Sequence, residues 1–242
     1  MTSLLRIGLA LAWTALLAVP TLPVLVLLLP SRRARMIVSA WYGRGLSWGA
    51  LRLLGVTATL EGAEHLAAAR PAVCVANHSS NLDPFLAMDH NPIGYVGVAK
   101  REIVSIPVFG LMYVLSGHVR IDRGDSKGAV ASLAETAALV RRHGLGFYLW
   151  PEGTMPRDGQ LLPFKKGFVH LAIATGLPVI PIVVYGAADR WPPRTLTLRP
   201  GRVHVRVLPP VSTEGWTAER AQEHADAVRE LYVRALAEPR PC

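Results

Sequence analysis

The sequence has few cysteines and no pattern of metal ligands. Its two cysteines, Cys74 and Cys242, cannot make a disulfide framework and have no metal-ligand spacing. Its eight histidines are scattered and form no HExxH pair. These absences argue against a disulfide-stapled secreted domain, give no support to a metal site, and favour a reducing compartment.

Acidic residues are absent from the first 60 positions, which contain six arginines. The whole chain carries a formal charge of +9. Its basic residues are not interleaved with aromatic clusters or zinc-ligand spacings, as they are in nucleic-acid binders. A basic segment without carboxylates suits an anionic lipid surface. We therefore predict membrane lipids, and no nucleic acid, as partners.

Charge is also absent from residues 7–30, a leucine-rich run long enough to cross about 30 Å of hydrocarbon. A cleaved signal peptide is the alternative, but the run is longer than an ordinary signal core, and Arg32 and Arg33 follow it where a small-residue cleavage site would stand. Pro20 and Pro23 would kink a straight helix, so a membrane span and a bent, re-entrant helical hairpin both stay open. The arginines after the run predict a cell-membrane protein whose main domain lies on the cytoplasmic face.

Residues 32–54 have apolar side chains at helical spacing among arginines, which predicts an amphipathic helix that lies at the membrane interface and ends at Gly55. Within it, Gly45, Ser47 and Gly49 match the GxSxG pattern of serine hydrolases. In those enzymes the serine follows a strand and opens a helix, whereas Ser47 lies in the middle of a predicted helix. The hydrolase hypothesis therefore has little support, and Ser47 is the residue that tests it.

Beyond Gly55, short apolar runs alternate with helical segments, a pattern typical of an α/β fold with a parallel or mixed sheet. The predicted strands are residues 56–60, 72–76, 95–99, 119–122, 146–150, 179–184 and 203–208. The predicted helices are residues 85–89, 104–115, 127–143, 167–175 and 218–237. No linker is long enough to require a second globular domain. We predict a membrane-associated helical segment over residues 1–55 and one α/β domain over residues 56–242.

A histidine and a carboxylate stand five positions apart in the segment NHSSNLDP, residues 77–84, between two apolar runs. In one continuous helix, residues five apart would face about 140° apart. A turn between them would instead bring His78 and Asp83 within hydrogen-bonding distance. Equally, Asp83 before Pro84 is a good helix N-cap, and His78 would then simply end a strand. The residues alone leave the catalytic and the capping interpretation open.

Four sequence blocks occur in order between residues 36 and 186. They are His78 to Asp83; Lys100-Arg101-Glu102 with Ile106-Pro107-Val108-Phe109-Gly110 and Ile121-Asp122-Arg123; Trp150-Pro151-Glu152-Gly153-Thr154; and Gly176-Leu177-Pro178-Val179-Ile180-Pro181. In this order and spacing they resemble the motifs of the glycerolipid acyltransferases, the family that includes the 1-acylglycerol-3-phosphate acyltransferases. The resemblance implies a mixed sheet flanked by helices, with an N-terminal membrane-associated helical hairpin.

The resemblance also implies a reaction. An acyl group passes from an acyl thioester, acyl-CoA or acyl carrier protein, to the free hydroxyl of 1-acyl-glycerol-3-phosphate, which gives phosphatidic acid. His78 would be the general base and Asp83 the residue that orients it. The substrate hydroxyl attacks directly, so no protein nucleophile, metal or cofactor beyond the thioester is expected. A non-catalytic lipid-binding protein is the competing class, and it would need neither His78 nor Asp83.

By the same resemblance, the residues that bind the substrate would be Lys100, Arg123, Glu152, Gly153 and Thr154. Without the motif context, Arg123 would be interpreted as part of a surface ion pair and Gly153 as a turn residue. The family usually has arginine after Glu-Gly-Thr, whereas this chain has Met155, so a bidentate phosphate ligand is missing there. Either Arg157 compensates, or the acceptor is another lysolipid, such as a lyso-ornithine lipid or a lysophospholipid with a larger head group.

Overall fold

The computed structural model describes residues 1–100, 104–105, 108–121, 126–156 and 160–239. Along the chain the elements are α1 (Ser3–Leu27), α2 (Arg32–Leu54), β1 (Val56–Glu61), α3 (Ala63–Ala68), β2 (Val73–Ala76), α4 (Asp83–His90), β3 (Tyr95–Lys100), α5 (Phe109–Leu115), β4 (Val119–Ile121), α6 (Ser126–His143), β5 (Gly146–Leu149), α7 (Gly167–Thr175), β6 (Val179–Tyr185), α8 (Ala187–Arg190), β7 (Gly201–Val207) and α9 (Ala221–Ala237).

Seven strands in the described part of the chain form one sheet with the order β1-β7-β6-β2-β5-β3-β4. Neighbouring strands are parallel except β6 and β7, which are antiparallel. The mixed α/β fold is therefore confirmed. Because β2, β5 and β6 are parallel neighbours, their carboxyl ends meet at one edge of the sheet, and the loops that follow them lie side by side.

Helices cover both faces of the central strands. On β2, Cys74 and Ala76 pack into a cluster that includes α2 and β7, whereas Val73 and Val75 pack into a second cluster with α7 and α9. All four side chains are 0% exposed. A strand that is buried on both faces needs apolar residues at every position, which explains why β2 and β6 are continuous apolar runs in the sequence.

A tyrosine from α9 connects the two central strands just before the loop that carries His78. Val75 on β2 lies opposite Pro181 on β6, and proline has no N–H to donate to the ladder. The buried Tyr232 hydroxyl donates to the Val75 carbonyl (2.5 Å) and accepts from the N–H of Ile182 (3.0 Å). One side chain thus satisfies a backbone group on each strand.

Helices α1 and α2 form an antiparallel hairpin, as predicted. The Trp13 indole N–H donates to the Gly45 carbonyl (3.1 Å), and the Arg6 guanidinium donates to the Leu53 carbonyl (3.1 Å). A glycine is needed at position 49, because a Cβ on Gly49 would lie 2.2 Å from the Trp13 ring nitrogen. The close packing of the two helices therefore depends on small residues in α2.

Helix α1 is long and apolar enough to cross a membrane, by length and composition. It continues through Pro20 and Pro23 without interruption. Several of its apolar side chains face outward, and Leu27 is 79% exposed. This exposed apolar surface supports membrane association. The choice between a spanning and a re-entrant arrangement stays a prediction.

Helix α2 ends at Gly55, as predicted, because this glycine adopts the left-handed conformation (φ 75°) that closes a helix. The helix is more than an interfacial segment. Leu46 and Leu54 are at most 1% exposed and lie in the core, whereas Trp41 and Trp48 are exposed on the opposite surface. The core therefore continues across residue 55, and the division of the chain at that residue stays a prediction.

The structure differs from the predicted elements mainly in two respects, apart from shifts of up to three residues at element ends, such as the start of α9 at Ala221. Helices α3 and α8, with six and four residues, were not predicted. They are too short to produce a helical period in the sequence. The helix predicted over residues 104–115 begins only at Phe109, because Val108 has a φ of 62°, outside the helical region. The predicted strand end at Asp122 lies outside the described residues.

Candidate active site

The loop after β2 is fixed at both ends by side-chain hydrogen bonds. The Asn77 carboxamide donates to the Val184 carbonyl (3.0 Å) and accepts from the Val184 N–H (2.8 Å), so it continues the sheet pairing beyond β2. Three residues later, the buried Ser80 hydroxyl donates to the Trp191 carbonyl (2.7 Å) after α8. The residues between these anchors therefore have a defined course.

His78 and Asp83 are hydrogen-bonded, Nδ1 to Oδ2, at 2.8 Å. The turn predicted between them brings them together, and the backbone N–H groups of Ser79 and Ser80 donate to the same Oδ2 at 2.7 and 2.9 Å. The Asp83 side chain is 1% exposed and that of His78 is 16% exposed. The capping interpretation is wrong in its detail, because the N-cap of α4 is Leu82 and Asp83 is the first residue of the helix.

The hydrogen bonds around Asp83 define the tautomer of His78. An ionised carboxylate only accepts hydrogen bonds, so the proton on the imidazole must lie on Nδ1. The lone pair is then on Nε2, the ring nitrogen that faces away from Asp83. A neutral imidazole with a free lone pair, held by a buried carboxylate, can remove a proton from a hydroxyl group.

Glu152 lies behind the backbone of His78. Its Oε1 accepts the His78 N–H (2.7 Å) and its Oε2 accepts the Leu162 N–H (2.9 Å). The residue is 2% exposed, and this burial raises the pKa of its carboxyl group, although the two amide hydrogen bonds act in the opposite direction. In this structure Glu152 connects the turn after β5 to the loop of His78. Its predicted contact with substrate stays a prediction.

Trp150 covers one face of the His78 ring. The two rings are stacked, with centroids 4.6 Å apart and planes inclined by 21°. Sequence reasoning did not single out Trp150, although it opens the third motif block. The sequence signal that could have identified Trp150 is an aromatic residue directly before Pro-Glu-Gly-Thr. In the structure these residues form a turn, in which Gly153 has a positive φ of 75°.

An apolar cavity of about 170 Å³ adjoins this pair of rings. The cavity lies between α2, α4, α5 and the strands β3 and β5. Pro84 and Trp150 form the part of its lining nearest to the His78–Asp83 pair. Among the polar side chains in the lining, His118 accepts the Gly97 N–H through Nδ1 (3.2 Å). Burial lowers the pKa of His118 to about 4, so the cavity wall is uncharged at neutral pH. No local pattern of residues predicts this cavity.

The other predicted site residues are only partly covered by the structure. The backbone of Lys100 ends β3, whereas Arg123 and Arg157 lie outside the described residues. Thr154 is exposed, in the turn next to Glu152. The roles of these residues stay predictions.

Ser47 is not placed as a nucleophile. It is 0% exposed, in the middle of α2, and its hydroxyl donates to the Phe85 carbonyl at 2.6 Å. No strand precedes it in the described N-terminal segment, where α1 leads directly to α2. The GxSxG match is therefore not a nucleophile elbow.

Comparison with known proteins assigns the family. The family model described as Acyltransferase matches residues 57–185. A protein of Limnanthes douglasii named 1-acyl-sn-glycerol-3-phosphate acyltransferase is 37% identical over 213 residues, which cover 88% of this chain and 75% of that protein. The chain belongs to the acyltransferase family. It is an O-acyltransferase, and the resemblance inferred from the four motif blocks is confirmed.

A second relative and a solved structure also support the assignment of this chain to the acyltransferase family. The mouse protein named 1-acyl-sn-glycerol-3-phosphate acyltransferase alpha is 36% identical over 218 residues, 90% of this chain and 75% of that protein. The crystal structure of the 1-acyl-sn-glycerophosphate (LPA) acyltransferase PlsC from Thermotoga maritima superposes with a TM-score of 0.79 at 25% identity, covering 98% of this chain and 96% of that one. The predicted fold, including the N-terminal helices, is thereby confirmed.

Proposed function

We propose that this acyltransferase transfers a fatty acyl group from an acyl thioester to the free hydroxyl of 1-acyl-glycerol-3-phosphate and so makes phosphatidic acid. The observation that carries the proposal is the His78–Asp83 pair, whose Nε2 has no hydrogen-bond partner among the described residues, next to an apolar cavity lined by Trp150. The names of the relatives supply the acceptor, since those at 35–37% identity are called 1-acyl-sn-glycerol-3-phosphate acyltransferases.

The chemistry needs one base and no covalent intermediate. Nε2 of His78 takes the proton of the acceptor hydroxyl as its oxygen bonds to the thioester carbonyl carbon. Asp83 stabilises the imidazolium that forms. The C–S bond then breaks, and the departing thiolate takes the proton from Nε2. A thiolate leaves readily, because thiols ionise near a pH of about 8.5.

The apolar cavity supports the proposal that the acyl chain of the donor binds next to the base. Its lining is almost wholly carbon, and it adjoins Trp150, which is in contact with the base. Burial of a fatty chain there would contribute about 0.8 kcal/mol for each methylene group removed from water. The thioester carbonyl at the end of such a chain would lie close to Nε2.

The phosphate of the acceptor requires cations. Arg123 and Arg157 are the candidates, with Lys100, since Met155 offers no charge. If the acceptor is instead a lyso-ornithine lipid or a lysophospholipid with a larger head group, Arg157 has no such role. We favour lysophosphatidate because the Glu152-Gly153-Thr154 turn is retained and the relatives carry that name.

The hairpin supports attachment to the cytoplasmic face of the cell membrane. Its exposed surface combines the leucines of α1 with two tryptophans that each carry an arginine over the ring, Arg44 over Trp41 (5.6 Å) and Arg52 over Trp48 (4.2 Å). Tryptophan and arginine together suit the boundary between lipid and water. Acyl-CoA and acyl carrier protein are both water-soluble donors available on that side.

The test uses purified full-length protein in detergent micelles. It is incubated with labelled acyl-CoA and, separately, acyl carrier protein, and with lysophosphatidate, lyso-ornithine lipid and lysophosphatidylcholine as acceptors. We expect lysophosphatidate to be acylated fastest. We expect His78→Ala to lower kcat towards the upper end of the 10²- to 10⁴-fold range of general bases, with no effect of the control His143→Ala on α6. Normal turnover by folded His78→Ala would disprove the mechanism.

Two further variants identify the acceptor. If lysophosphatidate is the acceptor, Arg157→Ala should raise its KM and leave the KM of the acyl donor unchanged. If another lysolipid is the acceptor, Arg157→Ala should have little effect, and Met155→Arg should shift preference towards lysophosphatidate, because a guanidinium group binds phosphate through charge-assisted hydrogen bonds.

A further inference from the structure

Three contacts with other described residues hold His78. Asp83 binds the Nδ1 edge of the ring at 2.8 Å, and Glu152 binds the backbone N–H at 2.7 Å. The third contact is with the ring face, where Trp150 stacks at a centroid distance of 4.6 Å. The first two contacts leave the ring plane free to rock about the Nδ1 hydrogen bond, and the stacked indole restricts that motion.

Trp150 is itself held in place. Its ring meets the buried ring of Tyr148 edge to face, at 5.7 Å and 77°. Its carbonyl accepts the N–H of Gly153 (3.1 Å), which ties it to the turn that carries Glu152. The indole N–H is enclosed and has no hydrogen-bond partner among the described residues. Its contact with His78 is therefore made by the ring face and not by the polar atom.

The indole face affects the charge on His78. The face of an aromatic ring is electron-rich and attracts a cation, and tryptophan does so more strongly than phenylalanine. During the proposed reaction, His78 changes from a neutral imidazole to an imidazolium, so a stacked indole stabilises the transition state more than the ground state. A phenyl ring would supply the same contact in weaker form.

We propose that Trp150 is a positioning residue for acyl transfer, whose indole face aligns the His78 ring and stabilises the imidazolium formed as the acceptor hydroxyl attacks. The proposal rests on the role of His78 as the base in the proposed function. Because Trp150 also lines the apolar cavity, the test must separate contact with the base from contact with the acyl chain.

The variants are Trp150→Phe, which keeps an aromatic face, and Trp150→Leu and Trp150→Met, which remove it. The matched control is Trp216→Leu, because Trp216 also stacks on a histidine, His224, at 4.7 Å and 3°, in the segment that leads into α9. Initial rates are measured with acyl donors of three chain lengths and with the acceptor that wild type prefers. Thermal unfolding reports whether each variant is folded.

We expect Trp150→Leu and Trp150→Met to lower kcat about 2- to 30-fold, by the same factor for all three donors, with the acceptor KM unchanged. Trp150→Phe should recover most of the loss, and Trp216→Leu should match wild type. If Trp150→Leu does not fold, Trp150→Met and Trp150→Phe still give the comparison.

Two results would overturn the proposal. Loss that depends on donor length would mean that Trp150 serves only as a cavity wall. Equal rates in Trp150→Phe and the non-aromatic variants would mean that the ring face has no part. Failure of the proposed function would look different, since wild type would then prefer another acceptor, or folded His78→Ala would remain active.

Discussion

The Asp83→Asn substitution separates the charge of the carboxylate from its control of the His78 tautomer. In serine proteases the same exchange lowers kcat about 10⁴-fold, because the amide enforces the wrong tautomer. Here a single oxygen, Oδ2, accepts all three N–H groups that point at the carboxylate, and Oδ1 has no partner among the described residues. An amide can place its carbonyl oxygen at the Oδ2 position and its NH₂ group at the Oδ1 position. His78 then keeps its proton on Nδ1.

Asp83→Asn therefore removes mainly the negative charge beside His78 and leaves the tautomer of His78 unchanged. A carboxylate and an imidazolium about 4 Å apart attract each other by about 4 kcal/mol at an effective dielectric constant of about 20. The dipole of the amide keeps part of this attraction, so the transition state loses about 2 kcal/mol, which corresponds to a fall in kcat of about 30-fold. The loss should be much smaller than that of His78→Ala.

The assay is the initial rate of acyl transfer at saturating substrate for wild type, Asp83→Asn and His78→Ala. Asp89→Asn, an exposed position on the same helix, is the control, and thermal unfolding confirms that each variant is folded. A wild-type rate in Asp83→Asn would mean that the charge has no role. A loss as large as that of His78→Ala would mean that the tautomer is reversed, and the argument from three donors on one oxygen would be refuted.

Three further changes test the structure around the site. Ser47→Ala should lower the free energy of unfolding by about 0.5–1.5 kcal/mol, because it removes the hydrogen bond that joins α2 to the Phe85 carbonyl of α4, while kcat of the folded enzyme stays unchanged. Loss of turnover without loss of stability would restore the hydrolase hypothesis. Tyr232→Phe should also lower the free energy of unfolding by about 1–3 kcal/mol, because it removes the hydroxyl that connects β2 and β6. Thermal unfolding measures this loss, and an unchanged melting temperature would contradict it. His118, with a folded-state pKa lowered to about 4, binds its proton more readily when unfolded, so its contribution makes stability fall as pH drops from about 6.5 towards 4, by at most about 1.4 kcal/mol per pH unit. His90, whose pKa burial also lowers to about 4, adds to the same slope, so His118→Asn should reduce the slope without removing it, and an unchanged slope would contradict the assignment.

The sequence predicts the elements that have a local cause. The central strands β2, β5 and β6 are apolar runs with a glycine or proline near an end, β7 alternates apolar and polar residues, and α2 ends where Gly55 can adopt a positive φ. The order of the strands and the antiparallel pairing of β6 with β7 depend instead on contacts between distant segments. Nothing in residues 201–207 alone indicates that β7 lies between β1 and β6.

In the active site, too, the sequence predicts the features with a local cause but not those that depend on contacts between distant segments. The spacing of His78 and Asp83 allowed a pair, but only the turn itself, with two backbone amides on Oδ2, makes it one. Glu152 belongs to a recognisable motif, yet its hydrogen bonds to the N–H groups of residues 78 and 162 could not be read from that motif. The stacked Trp150 and the apolar cavity arise where β5, α4 and α2 converge, so they have no local signature.

The GxSxG match in α2 has a physical explanation of its own. Residues two positions apart on a helix point about 200° apart, whereas residues four apart share a face. Gly45 and Gly49 therefore lie on one side of α2, where they receive the Trp13 ring of α1, and Ser47 lies on the other, where it binds the Phe85 carbonyl of α4. The GxSxG pattern thus reflects the packing of α2 against α1 on one side and against α4 on the other. Because α4 begins with Asp83, the hydrogen bond of Ser47 links the N-terminal hairpin to the helix that carries the partner of the base.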